Sequence, residues 1–273
     1  METSEERLKK LREYAGDDKV ISSFEMADKL AGQKTLFNVR SQITKLDKLI
    51  DGFVPGELIM LSGLTKNGKT LLAQTLTNNF YKQDVLSLWF TYELPPKQFL
   101  DRFPETPHTF MPSVLKAGNW QWIEDRIMES FLKHHTRVVF IDHLHFVIDI
   151  ARQGNISLEI GTIIRRLKLL AVRENLILFV MAHTKKKADG DHFGEIRDSS
   201  FAEQESDVTL MVRRFPDIGQ NVACVRVNQS RRTGAMQEKV WLEKVGGFLV
   251  ETSNREIPEE SPKKTRRYWK DGQ

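Results

Sequence analysis

Cysteine is almost absent: Cys224 is the single one in 273 residues. That excludes an intramolecular disulfide and a cysteine-based zinc site, and it points to a reducing interior. Set in an apolar run, Cys224 reads as a small core side chain. Apolar runs are short, and none approaches the ~20 residues a bilayer-spanning helix needs, so no membrane is expected among the partners. The start, Met1-Glu2-Thr3-Ser4-Glu5-Glu6, is polar and acidic, unlike a secretory leader or an organelle presequence. Charge of one sign is not dominant either: 41 Lys and Arg stand against 37 Asp and Glu, for a net +4 and a pI of about 9.0. Such a balance leans towards a polyanionic partner, and the placement of the basic residues matters more than their total. No internal repeat is visible, and the length suffices to bury a sizeable core.

What is present is concentrated in one stretch. Residues 63 to 70, Gly63-Leu64-Thr65-Lys66-Asn67-Gly68-Lys69-Thr70, read G-x-x-x-x-G-K-T, the phosphate-binding P-loop pattern. The apolar run Leu58 to Leu61 before it predicts a buried strand, and Leu72, Leu76 and Phe80 after it keep helical spacing. A strand that stops in a glycine-rich turn and opens a helix aims several N–H groups and a positive helix end at one point, which suits phosphates. Lys69 is placed to reach the β- and γ-phosphates, and the Thr70 hydroxyl to take a position on Mg²⁺. A nucleoside triphosphate, with ATP and Mg²⁺ as the cofactors, is the implied ligand.

Along the chain, residues 1–18 are highly charged, with Leu8 and Leu11 as the clear helical anchors. Ser22-Ser23-Phe24-Glu25 is a capping-box pattern that opens a short helix with Phe24, Ala27 and Leu30 on one face and Gly32 as its stop. That stripe packs either on its own domain or on a neighbouring subunit. Further strands are predicted at 85–92, 138–141, 176–181 and 208–212, with helices from Pro96, over 120–134 and over 157–174, the last capped by Ser157. Residues 103–118 read as a loop. Segments 222–227 and 239–250 read as later, alternating strands, consistent with antiparallel pairing. Strands alternating with helices imply an α/β fold with a central, mainly parallel sheet and helices on both faces. Residues 1–40 form an N-terminal extension, 41–252 a core, and 253–273 a Pro-, Glu- and Lys/Arg-rich tail expected to be disordered.

Ligands of open parallel sheets gather beyond the carboxyl ends of the strands, and several polar residues are expected there. Asp142 follows four apolar residues, as a Walker-B aspartate does, and is a candidate Mg²⁺ holder, with a turn or cap aspartate as the plainer reading. Glu93 closes its strand and is the candidate general base that orients the attacking water. His183, closing the next, is either a γ-phosphate sensor or a satisfied polar residue.

These residues carry a family resemblance. Ile43-Thr44-x-Leu46-Asp47, Gly52-x-x-Pro55-Gly56-Glu57-Leu58, the P-loop, Tyr92-Glu93-Leu94, Ile141-Asp142-His143-Leu144 and the block Ile196-Arg197-Asp198-Ser199-Ser200 through Gln204 to Asp207 resemble the ATPase domain of DnaB-type replicative helicases, a RecA-like P-loop NTPase. His183 is more similar to the phage and mitochondrial primase-helicase branch. The resemblance spans roughly 40–250 and implies Glu93 as catalytic glutamate, Asp142 as Walker-B aspartate and His183 as γ-phosphate sensor. It places Gln204 towards a central DNA channel. Asn228-Gln229-Ser230-Arg231-Arg232-Thr233-Gly234 is similar to the Lys-x-Arg-x-x-Gly segment that reaches a neighbour's nucleotide, which makes Arg231 the arginine finger, with Arg232 as the alternative. Gln229 departs from the family's lysine. The loops carrying Arg152, and Lys185-Lys186-Lys187 through Arg197, fall where the family contacts DNA. Lys263 to Lys270 mixes basic and aromatic residues and reads as a solubilising tail or a docking peptide.

The implied function is an ATP-dependent single-stranded-DNA translocase or replicative helicase, hydrolysing ATP at the subunit interfaces of a ring, a hexamer by resemblance. The short extension would dock on the next subunit, and a separate primase or loader is a further partner. The expected compartment is the cytoplasm of a bacterium or a phage-infected cell. Two alternatives stand beside it: a RecA-like recombination ATPase or mediator, and a nucleotide-switched helicase partner with little turnover.

Overall fold

Residues 3–31, 38–147, 156–185, 193, 195–196 and 204–253 are described by the structure, a computed structural model. The chain divides into two units, Met1–Leu36 and Phe37–Gln273. In the first, α1 (Ser4–Arg12) is capped reciprocally by Thr3 and Glu6. Helix α2 (Ser23–Ala31) is closed by the Ser22–Glu25 box, at 2.9 and 3.1 Å. The α2 box follows the sequence pattern; the α1 box has the same S/T-x-x-E form but is hidden among the surrounding charges. No side chain of either helix is buried, and Leu8, Leu11, Phe24 and Leu30 are all exposed. The expected stop at Gly32 lies outside the described residues.

The second unit is built on strand β1 (Leu58–Gly63), whose six residues are all buried. Beside it run β2 (Ser87–Thr91), β3 (Val138–Asp142) and β4 (Ile177–Lys185) on one side and β6 (Val208–Arg214) on the other, all parallel. Antiparallel strands β7 (Val222–Ser230), β8 (Met236–Val245) and β9 (Phe248–Glu251) extend the sheet beyond β6, and the two-residue β5 (Glu195–Ile196) pairs with the end of β4.

The parallel strands read as continuous apolar runs because both faces are covered. Alternate residues Ile59, Leu61, Trp89, Phe140, Phe179 and Leu210 meet α3 (Thr44–Ile50), α4 (Lys69–Tyr81) and α5 (Pro96–Leu100). Leu58, Met60, Phe90, Val139, Ile141 and Val180 meet α6 (Trp120–His134) and α7 (Ile156–Glu174) on the opposite face. Asn119 caps α6 by accepting from Trp122 N at 3.0 Å.

Three elements differ from expectation. Segment 239–250 is not one strand: Gly246 and Gly247, at φ 56° and 89°, close a two-residue hairpin between paired Val245 and Phe248, which only left-handed residues allow. Helix α7 starts at Ile156, so Ser157 lies in its first turn and not at its cap. Loop 103–118 lends Phe110 to the edge of β2, where Phe110 N donates to Ser87 O at 2.9 Å and Trp89 N to Phe110 O at 2.8 Å. Cys224 is buried, as its apolar run implied. Among the described residues, no helix is long and apolar enough to cross a membrane. The tail beyond residue 253 lies outside the described residues.

Candidate nucleotide site

The P-loop leaves the carboxyl end of β1 and turns into α4 through Gly68, whose φ of 96° belongs to the left-handed region. No side chain caps α4, so its first amides are available to a ligand. At Gly63, with φ 155°, a Cβ would stand 2.4 Å from the carbonyl oxygen of Val212 on β6, so only glycine lets the loop pass. Asn67 is held from the far side, its Oδ1 accepting from Arg214 N at 3.1 Å. Thr65 and Lys66 are exposed, while Leu64, Asn67, Gly68 and Thr70 are half-buried.

Lys69 is 4% exposed and folds back into its own loop. Its ammonium donates to Gly63 O at 2.9 Å and Leu64 O at 3.2 Å and lies 3.1 Å from His183 Nδ1. Burial lowers its pKa, opposed by the charges of Asp142 and Glu93. The Thr70 hydroxyl donates to Asp142 Oδ2 at 2.9 Å, which joins the end of β3 to the start of α4. Asp142 is 1% exposed, and its other oxygen, Oδ1, has no hydrogen-bond partner among the described residues. Burial and, second, the neighbouring Glu93 push its pKa up to about 6, against the Thr70 hydroxyl and Lys69. Such an orphaned, buried carboxylate oxygen suits a divalent cation held together with Thr70. Glu93 follows β2, its amide donating to Asp142 O at 3.3 Å and its carboxylate 4.0 Å from His143 Nδ1.

Two histidines that the sequence did not single out complete this end of the sheet. His143 packs 4.6 Å from His183, centroid to centroid, and 5.5 Å from His145. Burial first, then His183, His145 and Lys69, push the His143 pKa down to about 4, so it is neutral at pH 7. His183 does not close its strand as expected, since β4 runs on to Lys185.

Residues 38–130 match the family described as DnaB-like helicase C terminal domain. Replicative DNA helicase DnaB of Pasteurella multocida is 23% identical over 236 residues, covering 72% of this chain and 50% of that protein. The protein of the same name from Mycoplasma genitalium is 24% identical over 229 residues, covering 68% and 48%. Over residues 38–130 the chain is similar to that helicase family. The chain spans about half the length of the curated relatives it matches. Among solved structures, a DnaB-like replicative helicase described with its primase interactions aligns with a TM-score of 0.66 at 18% identity, over 92% of this chain and 72% of that one. A second solved structure, of an ATPase domain, aligns with the same score at 17% identity, over 84% and 96%. The fold is therefore RecA-like.

Within the core the two candidate finger residues part company. Arg232 is tied inward: Nε donates to Glu57 Oε1 and Nη1 to Asp51 Oδ2, both at 3.0 Å, and Nη2 reaches the carbonyls of Ile50, Asp51 and Gly52. Arg231 is exposed, and its guanidinium has no ion-pair partner among the described residues. It follows Ser230, which pairs with Val208 beside Ile59, at the end of the sheet opposite the P-loop. The six residues of β1 separate the two ends by about 20 Å. Gln229 lies in β7 opposite Thr209 and Met236. Of the nucleic-acid candidates, Gln204 is exposed just ahead of β6, and Lys185 is the last residue of β4, paired with Glu195 rather than in a loop. Arg152, Lys186, Lys187 and Arg197 lie outside the described residues. Asp207 takes a structural role that sequence reasoning missed: its Oδ2 accepts from Leu58 N at 2.7 Å and from Lys168 Nζ at 2.6 Å.

Proposed function

We propose that the chain binds Mg²⁺·ATP at this site and hydrolyses it to move along single-stranded DNA, as a translocase or helicase of the DnaB type acting in a ring of copies, hexameric by resemblance. The observation that carries the reading is the convergence of Lys69, Thr70, Asp142 and Glu93 at the mouth of one P-loop. Lys69 would release its loop carbonyls to meet the phosphates, and Thr70 with Asp142 would hold Mg²⁺. When bound, that ion offsets the charge on the phosphates. Glu93, the outermost carboxylate, would orient the attacking water, and His183 beside Lys69 would face the γ-phosphate. Arg231 would serve the nucleotide of the next copy, since about 20 Å of strand separates it from its own P-loop. The exposed face of α2, with Phe24 82% and Leu30 49% exposed, would dock on a neighbour, residues 41–252 would be the motor, and 253–273 a basic tail. DNA would be met by Gln204, Lys185 and the loops carrying Arg152, Lys186, Lys187 and Arg197. A primase or loader is a further proposed partner, and a cytoplasmic site of action fits the reading.

The test is steady-state ATP hydrolysis with and without single-stranded DNA at low and high salt, beside Lys69→Ala. Stimulation by DNA that fades with salt and is lost in the variant is expected. Hydrolysis indifferent to DNA would favour a nucleotide-switched partner instead.

The pH response follows from the two shifted groups. Asp142, raised from 3.8 to about 6, contributes stability that is lost as pH rises through 6. His143, lowered from 6.5 to about 4, contributes stability that is lost as pH falls through 4. Between about 4 and 6 the two slopes oppose, so the nucleotide-free protein is expected to change little in stability there. Affinity for Mg²⁺·nucleotide needs the Asp142 carboxylate and should weaken steeply below about pH 6. Titration calorimetry across that range checks it, and a flat profile would remove Asp142 from the metal.

A further inference from the structure

Outside the nucleotide site, Arg232, the alternative finger by resemblance, is densely bonded. Arg232 makes five hydrogen bonds, to two carboxylates and three consecutive backbone carbonyls. All these partners lie between the end of α3 and the residue that precedes β1. The carbonyls of Ile50 and Asp51 close α3 and that of Gly52 follows it; a forked guanidinium can bond all three, and Asn38 Nδ2 also donates to Asp51 O. Glu57 is 6% exposed, and its second oxygen accepts from Val54 N at 3.0 Å, so it is a fixed anchor. One residue later the chain enters β1, which ends at Gly63 and the P-loop.

The loop itself is pinned elsewhere too. Arg231 N donates to Asp207 O at 2.8 Å, Thr233 Oγ1 to Leu49 O at 2.7 Å, and Gly234 N to Ser230 O at 2.9 Å. The backbone of Arg231 is therefore fixed on both sides while its side chain is exposed. A firmly held backbone beneath an exposed guanidinium is what a group presented to another molecule needs, and Arg232 supplies most of the holding.

We propose that Arg232 is a positioning residue: it clamps the 231–234 loop to the segment feeding β1, so that the finger a subunit offers its neighbour is set by the strand carrying its own phosphate loop. The proposal rests on the reading of Arg231 as a finger in trans. Lost rigidity at a remote anchor can cost on the order of a hundredfold in turnover by misplacing the group it supports.

The experiment uses the full chain and compares Arg231→Ala, Arg232→Ala and Arg232→Lys for hydrolysis and for binding of a fluorescent ATP analogue. Arg232→Ala is expected to lose turnover on the order of a hundredfold with analogue affinity retained, and Arg232→Lys to fall between, because an ammonium cannot span two carboxylates and three carbonyls. Arg232→Ala is then mixed with Glu93→Gln, each being inactive alone. Hydrolysis should return, because the intact nucleotide site of the Arg232→Ala chain can meet the intact loop of the other chain. No return, with the analogue still bound, would place the role of Arg232 in its own site and overturn the clamp. Full activity in Arg232→Ala beside an inactive Arg231→Ala would also overturn it while leaving the finger. Full activity in Arg231→Ala would sink the finger reading itself. Should Arg232→Ala fail to fold, Arg232→Lys is mixed by the same criteria.

Discussion

Glu93→Gln is expected to reduce ATP turnover by on the order of 10² to 10⁴ while leaving Mg²⁺·ATP binding within a few-fold, because it removes a base without changing shape. Lys69 and Thr70 do not depend on the Glu93 charge for their contacts. The substitution carries a second signature. Glu93 is, after burial, the main cause of the raised Asp142 pKa. Removing its charge should therefore shift the pH profile of Mg²⁺·nucleotide binding to lower pH, which a merely structural loss would not do. Steady-state hydrolysis and calorimetry in parallel give both readings. Unchanged turnover would deny Glu93 the role of base, and an unmoved pH profile would deny its coupling to Asp142.

The largest effect on stability is expected at Trp89→Ala, at about 3–5 kcal/mol. Trp89 is fully buried, stacks on Phe140 at 4.5 Å and tilts against Phe99 at 4.6 Å, and its indole donates to Thr77 Oγ1 at 3.0 Å. Its removal opens a cavity between the sheet and α4 and takes away the donor to the Thr77 hydroxyl, which keeps its own bond to Ala73 O at 2.8 Å. For a domain of this size the melting temperature should fall on the order of 10 °C. Thermal and urea denaturation measure it, and a loss below about 1 kcal/mol would mean that the surrounding rings close the gap. Phe140 stands two residues before Asp142, so nucleotide affinity should weaken alongside stability.

What the sequence made legible was local. Glu93 and Asp142 each follow an apolar run, and the P-loop is a contiguous pattern, so all three were expected beyond the carboxyl ends of parallel strands. The helix over 120–134 was equally plain from its 3.6-residue spacing, while its Asn119 cap emerged only in the structure. Arg232 was illegible because its partners lie 175 to 182 residues away, and no periodicity encodes that pairing. His143 and His145 follow a strand end where no spacing rule applies, and only the sheet brings them to His183. The hairpin at Gly246-Gly247 was different: the signal was present, but apolar residues on either side disguised it as one strand.

Phe110 has a consequence for how copies of this chain can meet. Strand β2 borders the sheet, and an unpaired border strand is a template on which another chain can add its backbone. By bonding to Ser87 and Trp89, Phe110 occupies the middle of that template with the protein's own chain. Growth by strand addition is blocked on this side, so a partner that meets this border does so through side chains.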